Sequence, residues 1–190
     1  MAPRHDADRS IVLGHLFGGH AAIEYCLAYP EKVCGLVLCS AYFPLQLADH
    51  LVPVGVLQKL AMSSGIASAA AHQFIALTAG DNEAIRDPET YALLRAGIRH
   101  VTGRGASAFL SDTSSSNSDW SGLLSRLNLP VTVLHGESDP AVNPRLARLA
   151  AGRIANSRHQ EIPGIGQHIL HAAPDRVLTA LREIASTPAP

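Results

Sequence analysis

Six residues near the start of the chain, Gly14-His15-Leu16-Phe17-Gly18-Gly19, constrain it most. The apolar run Ser10-Ile11-Val12-Leu13 leads into them, and an Ala-rich helical pattern over residues 20–29, stopped by Pro30, leads out. Strand, glycine-bracketed turn and helix in direct succession describe a sharp strand-to-helix reversal. Glycine there lets the backbone take strained torsions and lets helix and strand approach closely. The spacing is that of Gly-x-Ser-x-Gly, a turn that projects a serine hydroxyl, but Leu16 stands in the serine's place.

Farther along, apolar runs alternate with helical patterns. Residues 33–40 and 131–136 are apolar almost throughout, as strands covered on both faces are. Residues 158–162 read as a fourth strand, and residues 144–154 and 174–185 as helices. Such alternation predicts an α/β fold with a parallel sheet and right-handed crossovers. Between the second and third strands lies an insert, residues 41–128. It carries helical stretches over 52–62, 66–77 and 88–101, then a Ser/Asp/Asn-rich loop over 111–119. Helices inserted there are expected to form a lid over the strand ends. The chain thus divides into a first core portion (1–40), a helical cap (41–128) and a second core portion (129–190). There is no internal repeat, and the Pro/Ala-rich tail, 186–190, is expected to fray.

Composition narrows the partners. The 190 residues are 47% hydrophobic and 16% charged, enough to bury a sizeable core. A formal charge of -1 with no Lys/Arg stripe argues against nucleic acid. No apolar run approaches the roughly 20 residues of a membrane span, and residues 1–10 lack the apolar core of a secretory signal. Cys26, Cys34 and Cys39 follow no metal spacing and read as free thiols, mostly buried. These features predict a cytoplasmic protein with no metal and no cofactor.

Four motifs, in order, resemble the α/β-hydrolase family. Gly14-His15-Leu16-Phe17-Gly18-Gly19 is similar to its nucleophile elbow. Tyr29-Pro30-Glu31-Lys32-Val33 with Leu36-Val37-Leu38 is similar to its next helix end and strand. The run from Leu129 to Asp139, with Leu134-His135-Gly136-Glu137-Ser138-Asp139 at its end, is similar to its acid-bearing strand and turn. Pro163-Gly164-Ile165-Gly166-Gln167-His168, with Pro174 beyond, is similar to its histidine loop. The resemblance covers residues 10–40 and 128–190. It implies a partial α/β-hydrolase fold: about four parallel strands, helices on both faces, and the helical cap. It also implies roles. Asp139 would orient and stabilise an imidazole, His168 would be the base, and the Phe17 amide at a helix start would donate to an oxyanion.

Two departures bear on chemistry. Leu16 has no nucleophilic group, so covalent acyl transfer through this position is impossible. Gln167 stands between Gly166 and His168, where the family usually has histidine directly after glycine, so either residue can fill the base position; His168 is favoured. Other candidates are weaker. His171 lies three residues from His168 but lacks further zinc ligands. Ser40 ends the second strand without elbow geometry. His15 and His20 flank the elbow, with His15 expected to pack. Asp112 and Asp119 are expected in solvent, and Trp120 is expected to anchor the following helix.

The family usually carries strands and a His-Gly loop, with a further oxyanion amide, before the elbow. None is expected in the few residues before Ser10, which leaves the first strand an apolar edge. The expectation is a truncated, esterase-like protein with Asp139 and His168 as vestiges of a triad. Its expected partners are a small apolar or acyl ligand, and a second copy or a separate N-terminal half. The alternatives are a ligand-binding pseudoenzyme and a non-covalent lyase using His168.

Overall fold

The apolar runs pair side by side because each has neighbours able to cover it. In the computed structural model, which describes residues 9–44, 47, 87–103 and 118–187, four strands form one sheet. They are β1 (Ser10–His15), β2 (Val33–Cys39), β3 (Val131–Gly136) and β4 (Ser157–Ile162), in the order β1-β2-β3-β4. All pairs are parallel, with Val12 opposite Leu36, Leu36 opposite Val131 and Val133 opposite His159. Parallel neighbours need crossovers, and helices fill them. α1 (Gly18–Ala28) follows β1 and α3 (Pro144–Ala151) follows β3, while α4 (Ile169–Ala172) and α5 (Pro174–Ser186) come after β4. In the insert, α2 (Pro88–Gly103) is described, and its Leu93 is exposed.

Strand alternation sorts the core into two layers. Leu36, Leu38, Val131 and Val133 pack with Ile23 of α1, Leu146 of α3, and Trp120 and Leu124. Val37, Cys39 and Leu134 face the other way, onto Ile169, Val177 and Ile184 of α4 and α5. β2 and β3 are therefore covered on both faces, and every residue of β3 is buried. β1 pairs with β2 alone among the described residues, and its Leu13 is half-exposed. α3 starts as its sequence dictates: Asn143 accepts the Arg145 amide at 2.9 Å and Pro144 follows. Trp120 caps a short 3₁₀ turn (Ser121–Arg126) and is buried, as an anchor should be.

Several boundaries differ from the sequence reading. β1 runs on to His15 because Gly14 and His15 pair with Leu38 and Cys39. α1 begins earlier, at Gly18, where packing overrides the weak helix propensity of glycine. α3 ends at Ala151, before Gly152. The expected helices over 52–62 and 66–77, most of the loop over 111–119 with Asp112, and residues 188–190 of the tail lie outside the described residues, while Ser186 is the last residue of α5. The thiols of Cys26 and Cys39 are buried, which pushes them up to about 11 and about 12, so both stay protonated and inert. No described helix is long and apolar enough to cross a membrane.

Leu38 is fully buried and its side chain lies beside Gly14 and Gly19. Leu38→Ala should lower stability by about 2–5 kcal/mol, read as a lower urea midpoint with unchanged slope.

Candidate active site

The turn after β1 is held by close packing. A Cβ at Gly14 would lie 2.9 Å from both the Ala22 Cβ and the Gly19 Cα, and one at Gly19 would lie 2.6 Å from the Ala41 Cβ. Glycine at both positions lets α1 seat directly on the strand. Between them Leu16 takes φ 52°, in the left-handed region that costs a non-glycine residue roughly 1 kcal/mol or more. Its neighbours fix it there. The Leu16 amide donates to Cys39 O at 3.3 Å, and Leu16 O accepts the amides of Gly19 (3.1 Å) and Tyr42 (3.2 Å). Phe17 is the N-cap residue of α1, so its amide sits at the positive end of the helix.

The end of β2 adds a second strained residue. Ser40 has φ 43°, is fully buried, and donates its amide to Leu134 O at 2.9 Å; its hydroxyl has no hydrogen-bond partner. Beyond it, the Tyr42 ring stacks on Phe17, centroids 4.3 Å apart and nearly parallel. On the other side of the elbow His20 stacks on Trp120 at 4.8 Å.

Asp139 follows β3. Its Oδ1 accepts the amides of Ala141 (2.8 Å) and Val142 (3.0 Å), closing a tight turn. Its Oδ2 is buried, 3.3 Å from His135 Nε2. That nitrogen also lies 3.0 Å from Val142 O, so it carries a proton and donates to the carbonyl. The carboxylate is thus fixed by the backbone. Gly136 brings the next loop close: any Cβ there would run into the carbonyls of Ile165 and Gly166. Ser138 donates its amide to Ile165 O at 3.0 Å, binding the acid turn to the histidine loop.

On that loop Gln167 and His168 diverge. Both are buried. Gln167 Nε2 donates to the Tyr42 hydroxyl at 3.0 Å, which places it over the elbow side through the Tyr42–Phe17 stack. Burial pushes the Tyr42 phenol up to about 12, against the opposing Gln167 bond. His168 precedes α4 and accepts the amides of His171 and Ala172 at its carbonyl. Burial pushes its imidazole down to about 4, aided by His171 and opposed by the Asp139 charge. His15 is likewise held down at about 4, by burial first and then by His168. Both rings are neutral near pH 7.

The sequence-derived residues Leu16, Phe17, Asp139 and His168 therefore all lie at the carboxyl ends of the strands, where ligands bind in such sheets. Asp119 is exposed, bonded to Ser121, as expected. Sequence reasoning missed Tyr42 and the contact of His135 with the acid. His135 had a signal, four residues before Asp139 at a strand end; Tyr42 had none.

A parallel sheet with this turn, acid loop and histidine loop defines an α/β hydrolase. Residues 1–174 match the serine aminopeptidase S33 family, and the chain belongs to it. No curated protein matches the chain. Similar solved structures include an enol-lactonase from Burkholderia xenovorans LB400, with TM-score 0.76, 17% identity, and coverage of 95% of this chain and 66% of that one. A thermophilic esterase from Thermogutta terrifontis gives 0.73 and 23%, covering 93% and 64%. A 2-hydroxy-6-oxo-6-phenylhexa-2,4-dienoate hydrolase from Rhodococcus sp. strain RHA1 gives 0.73 and 15%, covering 95% and 65%. The chain spans about two thirds of each structure's length.

The two depressed imidazoles make stability depend on pH. An unfolded histidine takes up a proton near pH 6.5, while folded His15 and His168 do so only near 4. Stability is therefore full above about 6.5 and falls as pH drops toward about 4. Between pH 7 and pH 5 the loss should be about 1–2 kcal/mol per histidine. Urea unfolding at the two pH values measures it, and His168→Gln should flatten the dependence.

Proposed function

We propose that this chain is an esterase-like α/β hydrolase without acyl-enzyme turnover. The observation that carries the reading is Leu16, which holds the left-handed elbow position with an aliphatic side chain. The elbow geometry presents whatever residue stands there, and leucine offers neither a nucleophile nor a proton. The esterase and hydrolase neighbours support the ancestry, and Asp139 and His168 stand as the retained acid and base positions.

A second reading is favoured by the same elbow. Leu16, Phe17 and the stacked Tyr42 make its surroundings apolar, with Gln167 supplying a polar contact. Such a site suits a small apolar or acyl ligand, held without turnover under the lid expected from the insert. Lyase-type chemistry through His168 is less well supported, since an imidazole held near 4 is a weak base at neutral pH.

A fluorophosphonate ester probe should leave the purified chain unlabelled, as read by intact-protein mass. Stoichiometric labelling at any residue would sink the proposal. Leu16→Ser should restore little p-nitrophenyl ester hydrolysis, because burial holds the His168 imidazole at about 4, a weak base at neutral pH. Recovery to ordinary esterase rates would show that only the nucleophile had been lost.

A further inference from the structure

The opposite end of the sheet holds a separate cavity of about 360 Å³. It lies under the amino-terminal ends of β1, β2 and β3, where Arg9, Cys34 and Pro130 line it. Strands of about six residues at roughly 3.3 Å per residue put it some 20 Å from Leu16 and Asp139. Its walls are apolar, with Leu27 and Leu127 prominent. Among the described residues its charged lining is Arg9 and Arg126, with no carboxylate.

Arg9 is anchored but incompletely satisfied. Its Nη2 donates to Val33 O at 2.6 Å and to Pro30 O at 3.5 Å. Its Nε is buried and has no hydrogen-bond partner among the described residues. A buried guanidinium N–H left unpaired is costly, and such orphans mark places where an acceptor belongs. Here the orphan belongs to a cation in a cavity whose other charged group is also a guanidinium. Guanidinium groups pair with carboxylate oxygens through charge-assisted hydrogen bonds. At roughly 30 Å³ per heavy atom the cavity admits about a dozen such atoms.

We propose that this cavity binds a small monocarboxylic acid, its carboxylate between Arg9 and Arg126 and its apolar tail against Leu27 and Leu127. The site is independent of the elbow and of any chemistry there.

Octanoate and octanol, titrated calorimetrically into the full chain, test the charge requirement. Octanoate should bind and octanol should bind at least tenfold more weakly. Arg126 is exposed, so Arg126→Met should fold normally and weaken octanoate about tenfold. A readout that needs no variant is Cys34, half-buried in the cavity wall. Its alkylation by iodoacetamide, mapped by peptide mass, should slow about threefold with saturating octanoate and not with octanol. The proposal is overturned by no octanoate binding at millimolar concentration, by equal affinity for octanol, by wild-type affinity in Arg126→Met, or by octanoate binding that leaves Cys34 alkylation unchanged.

Discussion

The close approach of α1 to β1 is the constraint on which the rest of the site depends. It is made by absence of side chains: Gly14 and Gly19 meet across a space that admits no Cβ, with Ala22 and Ala41 as the nearest walls. Once the helix is seated there, Leu16 has no room for an ordinary turn and takes φ 52°. Its amide and carbonyl then reach Cys39 and Tyr42, which ties the end of β1 to the end of β2. Tyr42 in turn stacks on Phe17 and receives Gln167, so the histidine loop is positioned by a chain of contacts that begins at two glycines.

The charged and titratable groups are handled in two different ways. Asp139 is stabilised by backbone amides, which present fixed partial positive charge to one of its oxygens. For His15 a bond to the Gln167 backbone favours the charged ring, and for both His15 and His168 the Asp139 charge does so too. Burial outweighs these contributions, and both imidazoles stay neutral. The outcome is a site with a fixed acid and two uncharged rings. In an acyl-transfer site the base gains a proton during reaction and needs the acid to stabilise it. With leucine at the elbow there is no hydroxyl proton for the base to take.

The fold was legible where burial acts on both faces of a strand. β3 spans Val131–Gly136, the same residues that the apolar run marks, since a strand covered twice is apolar in most of its positions, here all but Thr132 and His135. Helix ends were less legible, since glycine at Gly18 signals a turn until packing against the strand outweighs propensity. The four-residue α4 leaves no periodic trace at all. At the site, the placement of Asp139 and His168 at the carboxyl ends of the strands was legible from motif order. Tyr42 was not, because its partner Gln167 lies 125 residues away in sequence and Tyr42 itself sits in no motif.

Asp139 and Leu16 differ in what the backbone asks of their side chains. The carboxylate of Asp139 closes a turn by accepting two amides, and a replacement without an acceptor oxygen would leave those amides stranded in a buried place. At Leu16 the main chain makes all the turn's hydrogen bonds, so the elbow keeps its form whatever side chain it carries. An architectural debt therefore secures the acid, whereas the nucleophile's position is open to exchange. A scaffold built this way can exchange the side chain at its elbow and still hold the elbow's shape.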